Sequence, residues 1–134
     1  MTLSISDLQG MTPEISSALR DQGLTNSDKL LAACAQPKDR DELAAKIGVE
    51  SRTILELANR ADLARIRGVG RIYSDLLEFA GVDTVTELRT RNPDNLYKTI
   101  IEAAIKHQVK RAPRSQDVQA WVAQAKELDR ALHY

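Results

Sequence analysis

Apolar residues recur at three- and four-residue intervals along almost the whole chain, and no stretch alternates convincingly as a strand. Punctuation residues cut this pattern into short helices. Ser6 is placed to cap a first one that ends at Gly10. Thr12-Pro13 reads as N-cap and first helical residue, opening a helix with Ile15, Ala18 and Leu19 inward and Gly23 as its stop. Thr25 or Asn26 starts another through Leu30, Leu31 and Cys34, which stops near Pro37. Asp39–Ile47 is closed by Gly48, and Ser51 opens a helix with Ile54, Leu55 and Ala58 that can run on into Asp62–Arg67. Beyond Gly68-Val69-Gly70, the spacing predicts a helix with Ile72, Leu76, Leu77 and Ala80 on one face, ended by Gly81. Thr84–Glu87 has the form of a capping box, and Asn92-Pro93 opens a longer helix from Asp94 to about Gln108. A basic connector, Val109–Arg114, precedes a last helix capped by Ser115, with Val118, Trp121, Val122, Ala125 and Leu128 apolar. The tail after Asp129 is expected to fray. The fold class is therefore all-α.

Shifting the first half by 58 positions lays it on the second: Gly10 on Gly68, Ile15 on Tyr73, Ala18-Leu19 on Leu76-Leu77, Gly23 on Gly81, Leu30 on Leu88. Farther on the offset changes, with Asp41, Leu43 and Ile47 against Asp94, Leu96 and Ile100, and with Ile54, Leu57 and Ala61 against Val118, Trp121 and Ala125. The pattern divides the chain into a repeat over 1–61 and a second over 62–134, packed together because neither buries enough surface alone.

The joint between the halves carries the clearest chemistry. Two glycines around one small apolar residue make a tight turn, and the amides of Val69, Gly70 and Arg71 fall near a helix start, at the positive end of its dipole. Such a place can hold a phosphate. The stretch resembles the helix-hairpin-helix motif, whose usual role is sequence-independent contact with nucleic-acid backbone. On that resemblance Gly68, Val69 and Gly70 form the turn, Arg65, Arg67 and Arg71 supply charge, and Ser74 a hydroxyl. Two departures stand against it: Ile72 and Tyr73 replace the small residues and lysine usual early in the second helix, and Tyr73 either packs inward or blocks a phosphate. The counterpart hairpin, Gln9–Glu14, keeps one glycine, gains a proline without an amide and carries an acid, so it reads as structural. Ile47–Glu50 also carries an acid at its turn.

Over nearly its whole length the chain resembles a bacterial family of unknown function built from tandem helix-hairpin-helix-like repeats. The residues that carry the resemblance are ANRADLARIRGVG, LLEFAGVDTVTELRTRNPDNL and DVQAWVAQAKEL. It implies the fold and brings no activity with it.

Charge narrows the choices. Nineteen basic residues balance nineteen acidic ones, which argues against a strong polyanion binder. The balance is uneven, with seven basic and nine acidic side chains in residues 1–61 against twelve and ten in 62–134. The second half gathers Arg65, Arg67 and Arg71, then Arg89 and Arg91, then Lys106, Lys110, Arg111 and Arg114. If these share a face, binding to DNA or RNA backbone would be weak and salt-sensitive. Otherwise the hairpins are joints in a module that docks on a protein partner. His107 and His133 are isolated, so no metal or cofactor site is expected, and Trp121 is expected in the core. The single cysteine, Cys34, reads as a core residue in a reducing compartment. Gly68-Val69-Gly70 follows a helix and lacks the third glycine of a dinucleotide fingerprint, which leaves an enzyme reading little support. No apolar run approaches the roughly 20 residues that span a bilayer, and the N-terminus lacks the features of a signal peptide, so a cytoplasmic protein is expected.

Overall fold

Thr12, Asn26, Thr84 and Asn92 each start a helix in the same way: the side-chain oxygen accepts the amide three residues on, at 2.9 to 3.2 Å. The computed structural model describes residues 2–134. After a 3-10 turn at Ile5–Asp7 come α1 (Pro13–Asp21), α2 (Ser27–Ala33), α3 (Pro37–Ile47), α4 (Ser51–Leu63), α5 (Arg71–Phe79), α6 (Val85–Leu88), α7 (Pro93–Lys106) and α8 (Ser115–Glu127). The described residues form no strand beyond one isolated bridge between Ser4 and Asn26. The all-α expectation holds.

The helices pack in the same pattern twice. In the first half α1 lies on α3, while α2 and α3 both lie on α4; in the second, α5 lies on α7, while α6 and α7 both lie on α8. Backbone hydrogen bonds repeat with it at the 58-residue shift. Met11 N–H to Leu8 C=O matches Val69 to Ile66, Ser16 to Thr12 matches Ser74 to Gly70, Leu24 to Leu19 matches Val82 to Leu77, and Leu30 to Asn26 matches Leu88 to Thr84. Gly10 and Gly68 both take positive φ, at 88° and 92°. The later offset differs from the sequence reading. Pro37 and Pro93 both open their helices, which sets Arg40 and Ala44 against Leu96 and Ile100 in place of Leu43 and Ile47.

Two apolar cores divide at Asp62. Ile5, Leu19, Leu30, Cys34, Ile54, Leu57 and Ala61 build one; Leu63, Val69, Leu76, Leu88, Ile100, Trp121 and Val122 belong to the other. Asp62 itself, near the end of α4, is 2% exposed and ties α4 to the start of α6. Its carboxylate accepts Arg65 Nη2–H at 2.6 Å and Nε–H at 3.0 Å, and the Val85 amide at the start of α6 at 2.8 Å. Burial of Cys34 pushes its thiol up to about 11.

Three local expectations are corrected. Ser4 precedes the first helical turn, while Ser6 bonds Ser16 and Arg20. Arg114 caps α8, its amide donating to Asp117 Oδ2 at 2.9 Å; these bonds and the neighbouring guanidinium hold the Asp117 carboxyl below its usual range. The tail after Asp129 is docked, not frayed. Leu132 enters the first-half core, the His133 amide donates to Ala35 C=O at 2.8 Å, and Arg40 Nη2–H donates to His133 C=O at 2.7 Å. Arg40 is buried because its guanidinium also meets the carbonyls of Cys34 and Ala35, satisfying helix-end acceptors that lack intrahelical donors.

Candidate nucleic-acid interface

Gly68 turns the chain with φ of 92°, and a Cβ there would sit 3.2 Å from Trp121 Nε1 on α8. Val69 is fully buried beneath the turn. Gln124 on α8 straps the loop, accepting the Arg67 amide at 2.8 Å and donating to Arg67 C=O at 3.3 Å. The turn is thus fixed from below by a tryptophan, a buried valine and a glutamine clamp.

The seven residues singled out in the sequence fall into two groups. Arg65 is bound into the Asp62 joint and also reaches Asp129 C=O at 3.0 Å. Ser74 is buried, donates to Arg71 C=O and accepts from Arg60. The Val69 amide is used by Ile66 C=O. These three groups serve the fold. Gly68, Gly70, Arg67 and Arg71 remain at the surface of the turn. Nothing lies within 4 Å of the Cβ position of Gly70, and the amides of Gly70, Arg71 and Ile72 have no acceptor among the described residues. Arg67 is exposed without a side-chain partner among those residues; Arg71 is exposed and touches only Gln9 Oε1, at 3.0 Å. Tyr73 turns inward onto Trp121, with ring centroids 5.2 Å apart, and leaves the turn clear.

The start of α5 differs from every other α-helix start in the described residues. Side chains of Thr12, Asn26, Thr84 and Asn92 cap α1, α2, α6 and α7. α3 opens on a proline with Asp39 in its first turn, α4 has Glu50 at its N-cap, and α8 has Asp117. Gly70 offers no side chain, and no acid lies in the first turn of α5. Arg71 adds a cation where the dipole already presents positive charge, a disfavoured pairing that an external anion relieves.

The other arginines do not converge on this turn as a free basic face. Arg89 meets Leu128 C=O, Arg91 donates to Gly81 C=O at 2.9 Å, and Arg114 pairs with Asp117. Arg60, which the sequence did not single out, is bound by Asp75 and Glu78 and so neutralises the acids on α5.

One side-chain expectation fails here. Ile72 is 58% exposed instead of sharing the inner face of α5, which Leu76, Leu77 and Ala80 occupy. With Val69 and Tyr73 filling the core below the turn, Ile72 projects outward above Asp75 and Phe79, at i+3 and i+7. These three line a groove of about 650 Å³ with His107, Val109, Lys110 and Arg111. Phe79, 50% exposed, stacks on His107 at 3.8 Å between centroids and 11° between planes. The only sequence signal for this groove is that α5 has one apolar stripe too many. Among the described residues no group of three or more His, Cys, Asp and Glu side chains could hold a metal ion, and no helix is long and apolar enough to cross a membrane.

Residues 9–128 match the model of a domain of unknown function, DUF4332, and the chain belongs to that family. No curated protein and no solved structure matches it.

Proposed function

We propose that this DUF4332 protein is a non-enzymatic, tandem helix-hairpin-helix module that contacts nucleic-acid backbone without reading sequence. One observation carries the reading: among the α-helices of the described residues, α5 alone begins with neither a capping side chain, a proline nor an acid, and Arg67 and Arg71 beside it are exposed. A phosphate at this turn accepts the amides of Gly70, Arg71 and Ile72, with Arg67 and Arg71 adding charge. Arg65, Ser74 and the Val69 amide are not ligands in this scheme. They hold the loop in shape. The first hairpin has the same backbone turn but is closed by Thr12, Pro13 and Glu14, so the module offers one phosphate site and not two. With few phosphates neutralised, affinity is modest and sensitive to salt.

Fluorescence anisotropy with a labelled oligodeoxythymidylate tests this. Binding at low salt should weaken as salt rises, with a slope of about −0.7 per phosphate engaged, and Arg67→Glu and Arg71→Glu should each reduce it. No binding at low salt, or binding indifferent to both changes, refutes the proposal.

The second reading, a module that docks on a protein with its hairpins as joints, is favoured by the zero net charge and by the exposed side chains of Ile72 and Phe79. Cross-linking and pull-down test it; a monomer that retains no partner counts against it.

A further inference from the structure

The groove on the outer face of α5 starts at Ile72, the residue after Arg71, and ends at Phe79. The two ends are seven residues apart on the helix, about 10 Å at 1.5 Å per residue. From this continuity we infer that the groove takes an unstacked base of a single-stranded nucleic acid whose backbone is held at the α5 turn. The inference rests on the phosphate reading above and adds the class of nucleic acid to it.

Three features favour this occupant. The groove is apolar along Ile72, Phe79 and Val109, and the outside of a duplex presents phosphate and sugar, with nothing to fill such a surface. A splayed base presents an apolar face. The stacked Phe79 and His107 rings both line the groove, Phe79 half exposed, and aromatic stacking accepts any base because every base has a π-face. The charge is also right for a strand. Lys110 and Arg111 line the groove without side-chain partners among the described residues, and its one acid, Asp75, is paired with Arg60 at 2.5 Å. Two cations, Lys110 and Arg111, thus border an apolar groove whose acid is neutralised, and Arg71 immediately precedes Ile72, suited to a strand whose backbone is held at the turn.

Anisotropy titrations at low salt with labelled oligodeoxythymidylate, an abasic strand of equal length and a duplex of equal length test the inference. The single strand should bind about tenfold more tightly than either of the others. Phe79→Ala should remove most of that preference, a loss of about tenfold on the strand, and leave the duplex and the abasic strand unchanged. Phe79→Trp should restore it, and thermal melts of the variants confirm folding at this exposed position. Equal binding of all three probes, still sensitive to Arg71→Glu, overturns the groove assignment and leaves the phosphate reading standing. A strand preference indifferent to Phe79→Ala also overturns it, because the base contact then lies outside the groove. Failure to bind any probe removes both.

Discussion

Replacing Asp62 by alanine takes one acceptor group away from three donors at once. Val85 N–H is buried at the start of α6 and loses its partner at 2.8 Å. Leaving such a donor unpaired costs about 1–3 kcal/mol. The Arg65 guanidinium loses both of its bonds to Asp62 but keeps its bond to Asp129 C=O, and with 19% of its side chain exposed it can turn partly to water. Breaking one partner out of a buried ion pair typically costs about 3–5 kcal/mol, and some solvent access at Arg65 sets the expectation toward the lower end, about 3 kcal/mol. A domain of ordinary stability holds only about 5–15 kcal/mol, so this is a large fraction of the total. Urea unfolding followed by Trp121 fluorescence and by far-ultraviolet circular dichroism measures it, since Trp121 is buried in the second-half core. Asp62→Asn keeps an acceptor for Val85 and loses the charge facing Arg65, so it should fall between wild type and Asp62→Ala. A cost below about 1 kcal/mol for Asp62→Ala would refute the placement of this carboxylate as the buried tie between α4 and α6.

Other perturbations give outcomes of different kinds. Leu132→Ala should destabilise the protein by about 2–4 kcal/mol, and Arg40→Ala, which strands the carbonyls of Cys34, Ala35 and His133, by about 1–3 kcal/mol; effects within experimental error in chemical denaturation would mean that the tail is not docked. Gly68→Ala should cost at least 1–2 kcal/mol because of its positive φ and the crowding against Trp121 Nε1, whereas Gly70→Ala should change stability by a few tenths of a kcal/mol, since its φ is −94° and the Cβ position is open; equal melting temperatures for the two variants would contradict this. The raised pKa of Cys34 favours the protonated thiol in the folded state, so its stabilising effect is complete below about pH 9 and is lost as pH rises toward about 11. Wild type should therefore lose more stability over that range than Cys34→Ala, and parallel pH profiles would contradict it.

The backbone plan was largely legible in the sequence because it is written in local signals. Thr12, Asn26, Thr84 and Asn92 act as caps within three residues of themselves, and the glycine pairs at 10 and 68 and at 23 and 81 bend the chain wherever they occur. The signals spaced 58 residues apart are of this local kind, and several backbone turn bonds correspond at the same spacing. What was hidden depends on partners far along the chain. Arg40 looks like a surface residue until its carbonyl acceptors, one of them 93 positions away, come together. Gln124 gives no hint of clamping Arg67 from 57 positions away. The surroundings of the candidate turn divide along the same line. The open turn and its flanking Arg67 and Arg71 are local, but Arg65 is withdrawn by Asp62, and Ser74 is engaged by Arg60 from the preceding helix. Ile72 matched the spacing of a core position, and only the packing of Val69 and of Tyr73 on Trp121 shows why it stands outside.

The most direct test is a ¹H–¹⁵N correlation spectrum of the protein titrated with oligodeoxythymidylate at low salt. The amides of Gly70, Arg71 and Ile72 should show the largest saturable shifts, and those of Glu14 and Ile15 in the closed first hairpin should stay still. Shifts confined to the His107–Arg111 segment, or no saturable shift at all, would contradict a phosphate site at the start of α5.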